Sequence, residues 1–223
     1  MSKRILIIGA GAIGLSVATI LANLGIAVTL LTRRREVYHK IESEGISLNG
    51  ILGEYIIQKD QIKITCEFDQ ESAGYDVIII ATKAYDLGNL MCQMRSVRHI
   101  FRQGIIILFQ NGIGTSEIIA ECFERKRIYN ACVFSGFQRQ DNNKAAIITH
   151  AKPIAIGNIY CDSSFSKQAI EFCTILSEGG LPTVYDTNIE TLLLEKLVFN
   201  AAVNPISAIC SQTIGQGSIP KAG

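Results

Sequence analysis

An α/β fold with a mostly parallel sheet is predicted by three features of this 223-residue chain. One is a glycine-punctuated apolar run over residues 5–32, the second is a pair of short continuous apolar runs ending in polar loops, and the third is a long helical stretch after residue 188. Hydrophobic content of 48% with 18% charged residues is enough to bury a substantial core and excludes a disordered segment. A net charge of +1, with no basic stripe, gives no electrostatic footprint for nucleic acid, so a small-molecule partner is expected.

The first run reads Ile-Leu-Ile-Ile-Gly-Ala-Gly-Ala-Ile-Gly over residues 5–14 and closes on Arg33, Arg34 and Arg35. A β-branched strand, a Gly-x-Gly-x-x-Gly turn, an Ala/Leu-rich helix and a second strand make one βαβ unit. In such a unit the glycines let backbone amides approach a diphosphate at a helix N-terminus. Gly9, Ala10, Gly11, Ala12, Ile13 and Gly14 are therefore the candidate cofactor-binding turn of a Rossmann-type NAD(P)-binding domain. An NAD site normally places a carboxylate about 20 residues beyond the turn, whereas this chain places Thr32 and Arg33 there. Arg33 accordingly points to NADP, whose 2′-phosphate suits a guanidinium fork. The same uncharged run, preceded by Lys3 and Arg4, also has the look of a membrane span or signal peptide. Its glycines fall where strand, turn and helix must change, which favours the nucleotide-binding reading and no membrane partner.

Residues 36–44 have helical spacing and stop at Gly45; residues 46–57 alternate around Asn49-Gly50 as a hairpin would. The runs 77–81 and 105–109 look like parallel strands covered on both faces, joined through helices over about 86–98 and 115–123. Further strands are expected over 128–134, 145–150, 154–159 and 183–185, with a helix over about 164–178 ending at Gly179-Gly180. A domain boundary is placed at 187/188. Residues 1–187 form the cofactor-binding domain, and residues 188–223 begin an all-helical C-terminal domain with a helix over 189–210. The seven cysteines, at 66, 92, 122, 132, 161, 173 and 210, are scattered, odd in number and without Cys-x-x-Cys. They fit a reducing cytoplasm, and with only His39, His99 and His150 beside them no metal site is expected.

In open α/β sheets ligands sit past the carboxyl ends of the strands. Lys83, in Thr-Lys-Ala after the first short run, and Asn111, in Gln-Asn-Gly after the second, occupy such places. In the late helix Lys196, Asn200 and Asn204 recur every fourth residue among Leu193, Leu197, Val198 and Val203, so a polar stripe cuts an apolar helix. A buried ammonium and two amides need partners, and a bound polar ligand supplies them. Pro205, immediately after the stripe, releases the carbonyl of Ala201.

Together the glycine turn, Arg33, Lys83, Asn111 and the Lys196, Asn200, Asn204-Pro205 series resemble the ketopantoate reductase (2-dehydropantoate 2-reductase) family along residues 1 to about 210. The resemblance implies NADPH-dependent reduction of 2-dehydropantoate to pantoate, on the way to pantothenate and coenzyme A. It also implies Lys196 as general acid, Asn200, Asn204 and Asn111 as substrate contacts, and Lys83 and Asn111 as cofactor contacts. The family continues through further helices after Asn-Pro, and where it often has Asn-Gly this chain has Ile214-Gly215. Residues 216–223 lose helical pattern, so the expectation is a shortened member with an incomplete substrate domain and an apolar helix free to form a homo-oligomer. Two alternatives stay open: an NADP-binding remnant without turnover, and a reductase of another 2-oxo acid.

Overall fold

The computed structural model describes residues 3–70, 74–101 and 104–209, with the side chains of Asn204, Ile206, Ser207 and Ala208 outside that set. Cys210, the Ile214-Gly215 pair and the tail expected over 216–223 likewise lie outside the described residues. In chain order the strands are β1 Arg4–Ile8, β2 Ala27–Leu31, β3 Ile46–Gly50, β4 Tyr55–Ile57, β5 Lys63–Thr65, β6 Val77–Ile80, β7 Ile105–Leu108, β8 Ile128–Cys132, β9 Ser135–Arg139, β10 Lys144–His150, β11 Ile154–Gly157 and β12 Thr183–Tyr185. The helices are α1 Ala12–Asn23, α2 Arg35–Glu44, α3 Leu87–Ser96, α4 Thr115–Ala120, α5 Ser166–Glu178 and α6 Ile189–Ile209.

Eight strands form the main sheet in the order β12-β11-β8-β7-β6-β1-β2-β5, with every neighbouring pair parallel except β11 and β8. The chain leaves β1 in one direction through β2 to β5 and returns on the other side through β6, β7 and β8. This places a topological switch point between β1 and β6, where doubly wound sheets open a crevice at their carboxyl edge. β1 shows why its sequence is continuously apolar: Ile5 and Ile7 join the core on one face, Leu6 and Ile8 the core on the other. α3 and α4 cover the second face through Leu90, Met94 and Ile119.

The first face carries an additional layer. β4, β3, β10 and β9 make a second, four-stranded sheet that packs on α1 through Ile46, Leu48, Ala145 and Ile147. α1 is thus enclosed between two sheets, and Gly14 through Ala22 are all buried. Burial on every side removes the need for a polar face, which is why the stretch resembles a membrane span in sequence. The helix itself has 12 residues, too few to cross a bilayer, and among the described residues no helix is long and apolar enough to do so.

Two local expectations are corrected, and two strands, β5 and β9, have no counterpart among the expected ones. The hairpin over 46–57 exists, but its turn lies beyond Asn49-Gly50: Leu48 pairs with Tyr55, and Gly50 lies against Ile147 of β10. A Cβ on Gly50, whose φ is 119°, would stand 2.2 Å from the Ile147 carbonyl oxygen, so this glycine serves strand approach rather than turning. The strand expected over 128–134 stops at Cys132, and the unforeseen β9 pairs antiparallel with β10. β5, with Ile64 as its only large apolar residue, was hidden by its polarity at the sheet edge.

Gly14 holds the turn together. A Cβ there would lie 1.8 Å from the Gly9 carbonyl oxygen. Gly14→Ala is expected to cost about 3 kcal/mol by overpacking, lowering the melting temperature by roughly 2–4 °C per kcal/mol. Gly88→Ala, at an exposed position of α3 with no atom within 4 Å of the added Cβ, is expected to be neutral or mildly stabilising. Thermal melts of the two variants check the contrast.

Candidate active site

The strand ends define the cleft. Gly9 follows β1 with φ 111°, and its amide donates to the Leu31 carbonyl at 2.8 Å, drawing the β1 and β2 ends together. Gly11 is the N-cap of α1 in an extended conformation, with no side-chain cap and no acidic residue in the first turn. The amino end of the helix dipole and its unbonded amides therefore remain available to an anion. Gly11 also differs from its neighbours in what it needs. A Cβ on Gly9 or Gly14 would meet backbone at 2.9 Å or 1.8 Å, whereas one on Gly11 would meet only the Ala81 carbonyl oxygen at 3.9 Å. Packing within the chain does not require glycine at residue 11, so the space in front of it suits a close ligand such as a diphosphate.

That space belongs to a cleft of about 500 Å³ lined by Gly9, Ala10, Gly11 and Ala12 on its floor and by Thr32, Arg33 and Arg34 at the end of β2. Lys83 and Asp86 form another wall. Of the expected turn residues, Ile13 instead packs against the core. Lys83 is exposed at the cleft, where it caps the short 3-10 turn Ala84–Asp86. Arg33 reaches Asp86 at 2.8 Å, and Arg34 donates to the Ala10 carbonyl at 2.9 Å. Sequence reasoning missed Asp86 and Arg34, although Arg34 is adjacent to Arg33; it also missed Arg139, which comes from β9 and has no sequence signal linking it to β2.

Next along the same carboxyl edge, past β6, lies the end of β7. Gln110 is buried there, and its Nε2 donates to Thr82 Oγ1 at 3.2 Å and, weakly, to the Lys83 carbonyl at 3.4 Å, joining the loops that follow β6 and β7. Asn111 is brought to α6: Lys196 Nζ donates to Asn111 Oδ1 at 2.8 Å and also to the Val133 carbonyl. The ammonium stands 5.7 Å from the centre of the Phe134 ring. Two expected residues 85 positions apart thus meet, because Ile189 and Leu193 pack α6 against Cys132 and Ala155 at the ends of β8 and β11.

Burial pushes the Lys196 pKa below the ordinary lysine value, and only the thiolate form of the nearby Cys132 would oppose it. Between the depressed value and the ordinary one, folded Lys196 is neutral while the unfolded residue is charged, so its contribution to stability rises with pH across that window. Cys132 is itself raised by burial and stays a neutral thiol near neutrality. Asn200 follows one turn later, half-buried on α6; Asn204 continues the stripe along the helix backbone, its side chain outside the described residues. The helix runs through Pro205 to Ile209.

Comparison with known proteins agrees with this architecture. A model of the family described as Ketopantoate reductase PanE/ApbA matches residues 5–159. The 2-dehydropantoate 2-reductase of Aquifex aeolicus (strain VF5) is 26% identical over 96% of this chain and 66% of its own length. That of Pyrococcus horikoshii is 29% identical over 92% and 64%. Each share is just under two thirds of the relative. Among solved structures, 2-dehydropantoate 2-reductase from Geobacter metallireducens GS-15 superposes with TM-score 0.82 at 24% identity, covering 94% of this chain and 66% of that one. A D-mandelate dehydrogenase determined with NADH and anilino(oxo)acetate superposes with TM-score 0.79 at 23% identity, covering 93% and 64%. These two structural likenesses establish the Rossmann fold, and with the family model covering most of its length, the chain belongs to the ketopantoate reductase family.

Proposed function

We propose that this chain carries the cofactor domain and the catalytic lysine of an NADPH-dependent 2-dehydropantoate 2-reductase. The observation that carries the reading is the Lys196–Asn111 pair at the carboxyl edge, beside a glycine-floored cleft that ends in arginines. Family membership and the names of its relatives support the substrate; Arg33 at the end of β2 supports NADPH. In this reading residues 1–187 are the cofactor domain, and residues 188–223 begin a helical substrate domain. The six described cysteines are all free thiols, which fits a reducing compartment such as the cytoplasm.

The residues present fit a dinucleotide. The first-turn amides of α1, behind Gly11, hold the diphosphate, and Arg33 takes the 2′-phosphate in competition with Asp86. The reduced nicotinamide, when bound, supplies the hydride equivalent that reaches the carbonyl carbon of the oxo acid. Negative charge then grows on the carbonyl oxygen. Lys196 stabilises that charge and delivers a proton to the oxygen, giving the hydroxyl of the product. Asn111 and the Val133 carbonyl hold the ammonium by accepting from it, and the Asn111 amide nitrogen remains able to donate to substrate or cofactor. Asn200 and Asn204, one and two turns beyond Lys196, bind the carboxylate or hydroxyl of the acid without adding charge. The exposed apolar side chains Leu194, Val198 and Phe199 support association of α6 with another copy.

Two outcomes are expected. With 2-dehydropantoate and NADPH, Lys196→Ala lowers kcat by about 10²- to 10⁴-fold, the usual scale of general acid catalysis, while leaving NADPH affinity nearly intact. Absorbance at 340 nm measures the first and fluorescence titration the second. An unmodified chain that binds NADPH without oxidising it would favour the remnant reading. Since the acid must be protonated, kcat/KM falls on the alkaline side with a midpoint below the ordinary lysine value, and NMR of ¹³C-methylated lysines shows Lys196 titrating below the exposed lysines. Titration together with the exposed lysines contradicts the burial argument.

A further inference from the structure

Three guanidinium groups line the cleft, those of Arg33 and Arg34 at the end of β2 and that of Arg139 from β9, but their charges are committed differently. Arg33 is paired with the Asp86 carboxylate at 2.8 Å, and Arg34 is held by the Ala10 carbonyl at 2.9 Å. Arg139 comes from the other sheet, as the last residue of β9. Its Nε donates to the Asp141 carbonyl at 3.0 Å, and its terminal nitrogen donates to Asn142 Oδ1. Both acceptors are neutral, and among the described residues no carboxylate lies within ion-pair distance of Arg139.

The turn that carries this side chain is fixed to the rest of the fold. Asn143 is buried, its Nδ2 donates to the Gly45 carbonyl at 3.0 Å, and its own carbonyl accepts from the Ser47 amide at 3.0 Å. Arg139 is therefore presented to the cleft by a braced turn.

We propose that Arg139 is a second cation for the 2′-phosphate of the dinucleotide, and that it, together with Arg33, sets the preference for NADPH over NADH. The inference rests on the NADPH reading above and deepens it. A ribose 2′-phosphate carries about −1.5 to −2 charge near neutrality. Arg33 alone, already neutralised by Asp86, offers that phosphate a net charge near zero. Arg139 adds to Arg34, which likewise has no ion pair among the described residues, and makes the cleft cationic, so the phosphate draws Arg33 from its carboxylate without leaving excess negative charge. NADH, with a hydroxyl at that place, gains nothing from the second guanidinium.

Equilibrium titrations of NADPH and NADH by nicotinamide fluorescence test this on the full chain and on Arg139→Ala, Arg139→Lys and Arg33→Ala, with a thermal melt of each free protein. Arg139→Ala is expected to weaken NADPH by about tenfold or more, the scale of a lost charge-assisted hydrogen bond, and to move NADH by less than about twofold. Arg139→Lys should recover part of the loss, and raising salt should narrow the difference between the unmodified protein and Arg139→Ala. An Arg139→Ala protein that keeps its preference while Arg33→Ala loses it overturns the role of Arg139 and leaves the NADPH reading intact. Equal weakening of both nucleotides overturns it in favour of a general effect on the cleft. If the unmodified chain binds NADPH no better than NADH, the NADPH reading and this inference fall together.

Discussion

The close approach of Gly14 to the carbonyl of Gly9 is the contact on which the cleft depends. It lets α1 begin directly beneath the end of β1, so the amino end of a fully enclosed helix opens at the switch point of the sheet. Because β6 and β7 are parallel to β1 and in register with it, the loops carrying Lys83 and Asn111 emerge on the same side as the glycine turn. The second sheet then closes over α1 and brings Arg139 to the same cleft. A larger residue at position 14 would push the helix away and separate all of these groups at once.

Lys196 connects this scaffold to α6. Its ammonium is satisfied by a side-chain oxygen from the β7 loop and a carbonyl just past β8, so the helix is joined to the sheet by a polar contact as well as by Ile189 and Leu193. Removing water from a cation favours its neutral form, while acceptors aimed at it favour the charged form. Burial prevails, and leaves a lysine whose proton is more readily given up than that of an exposed one. That balance suits proton delivery to an oxygen whose basicity rises during reduction.

Much of this was legible in the sequence where one residue type has one physical use. Glycines at 9, 11 and 14 between two β-branched runs specify strand, turn and helix, and the apolar runs at 77–81 and 105–109 specify doubly covered strands. The periodicity of Lys196, Asn200 and Asn204 singled out one polar stripe of α6, and within the described residues Lys196 meets Asn111. The second sheet was not legible. Its strands are short and mixed in composition, β3 and β10 pair across almost a hundred intervening residues, and no local pattern reports such pairing. Arg139 was invisible for the same reason, since its place in the cleft that Arg33 lines follows from that long-range pairing alone. Asn49-Gly50 misplaced a turn because the same pair also serves close strand contact.

The most direct test of the account is a ¹⁵N-resolved NMR titration of the chain with NADPH, followed residue by residue. The account predicts the largest amide shifts at Gly9 through Gly14, with further shifts at Arg33, Thr82, Lys83 and Asn111, along one continuous edge of the sheet. Shifts absent from the glycine turn, or concentrated on a surface remote from the carboxyl ends of β1, β6 and β7, would contradict it.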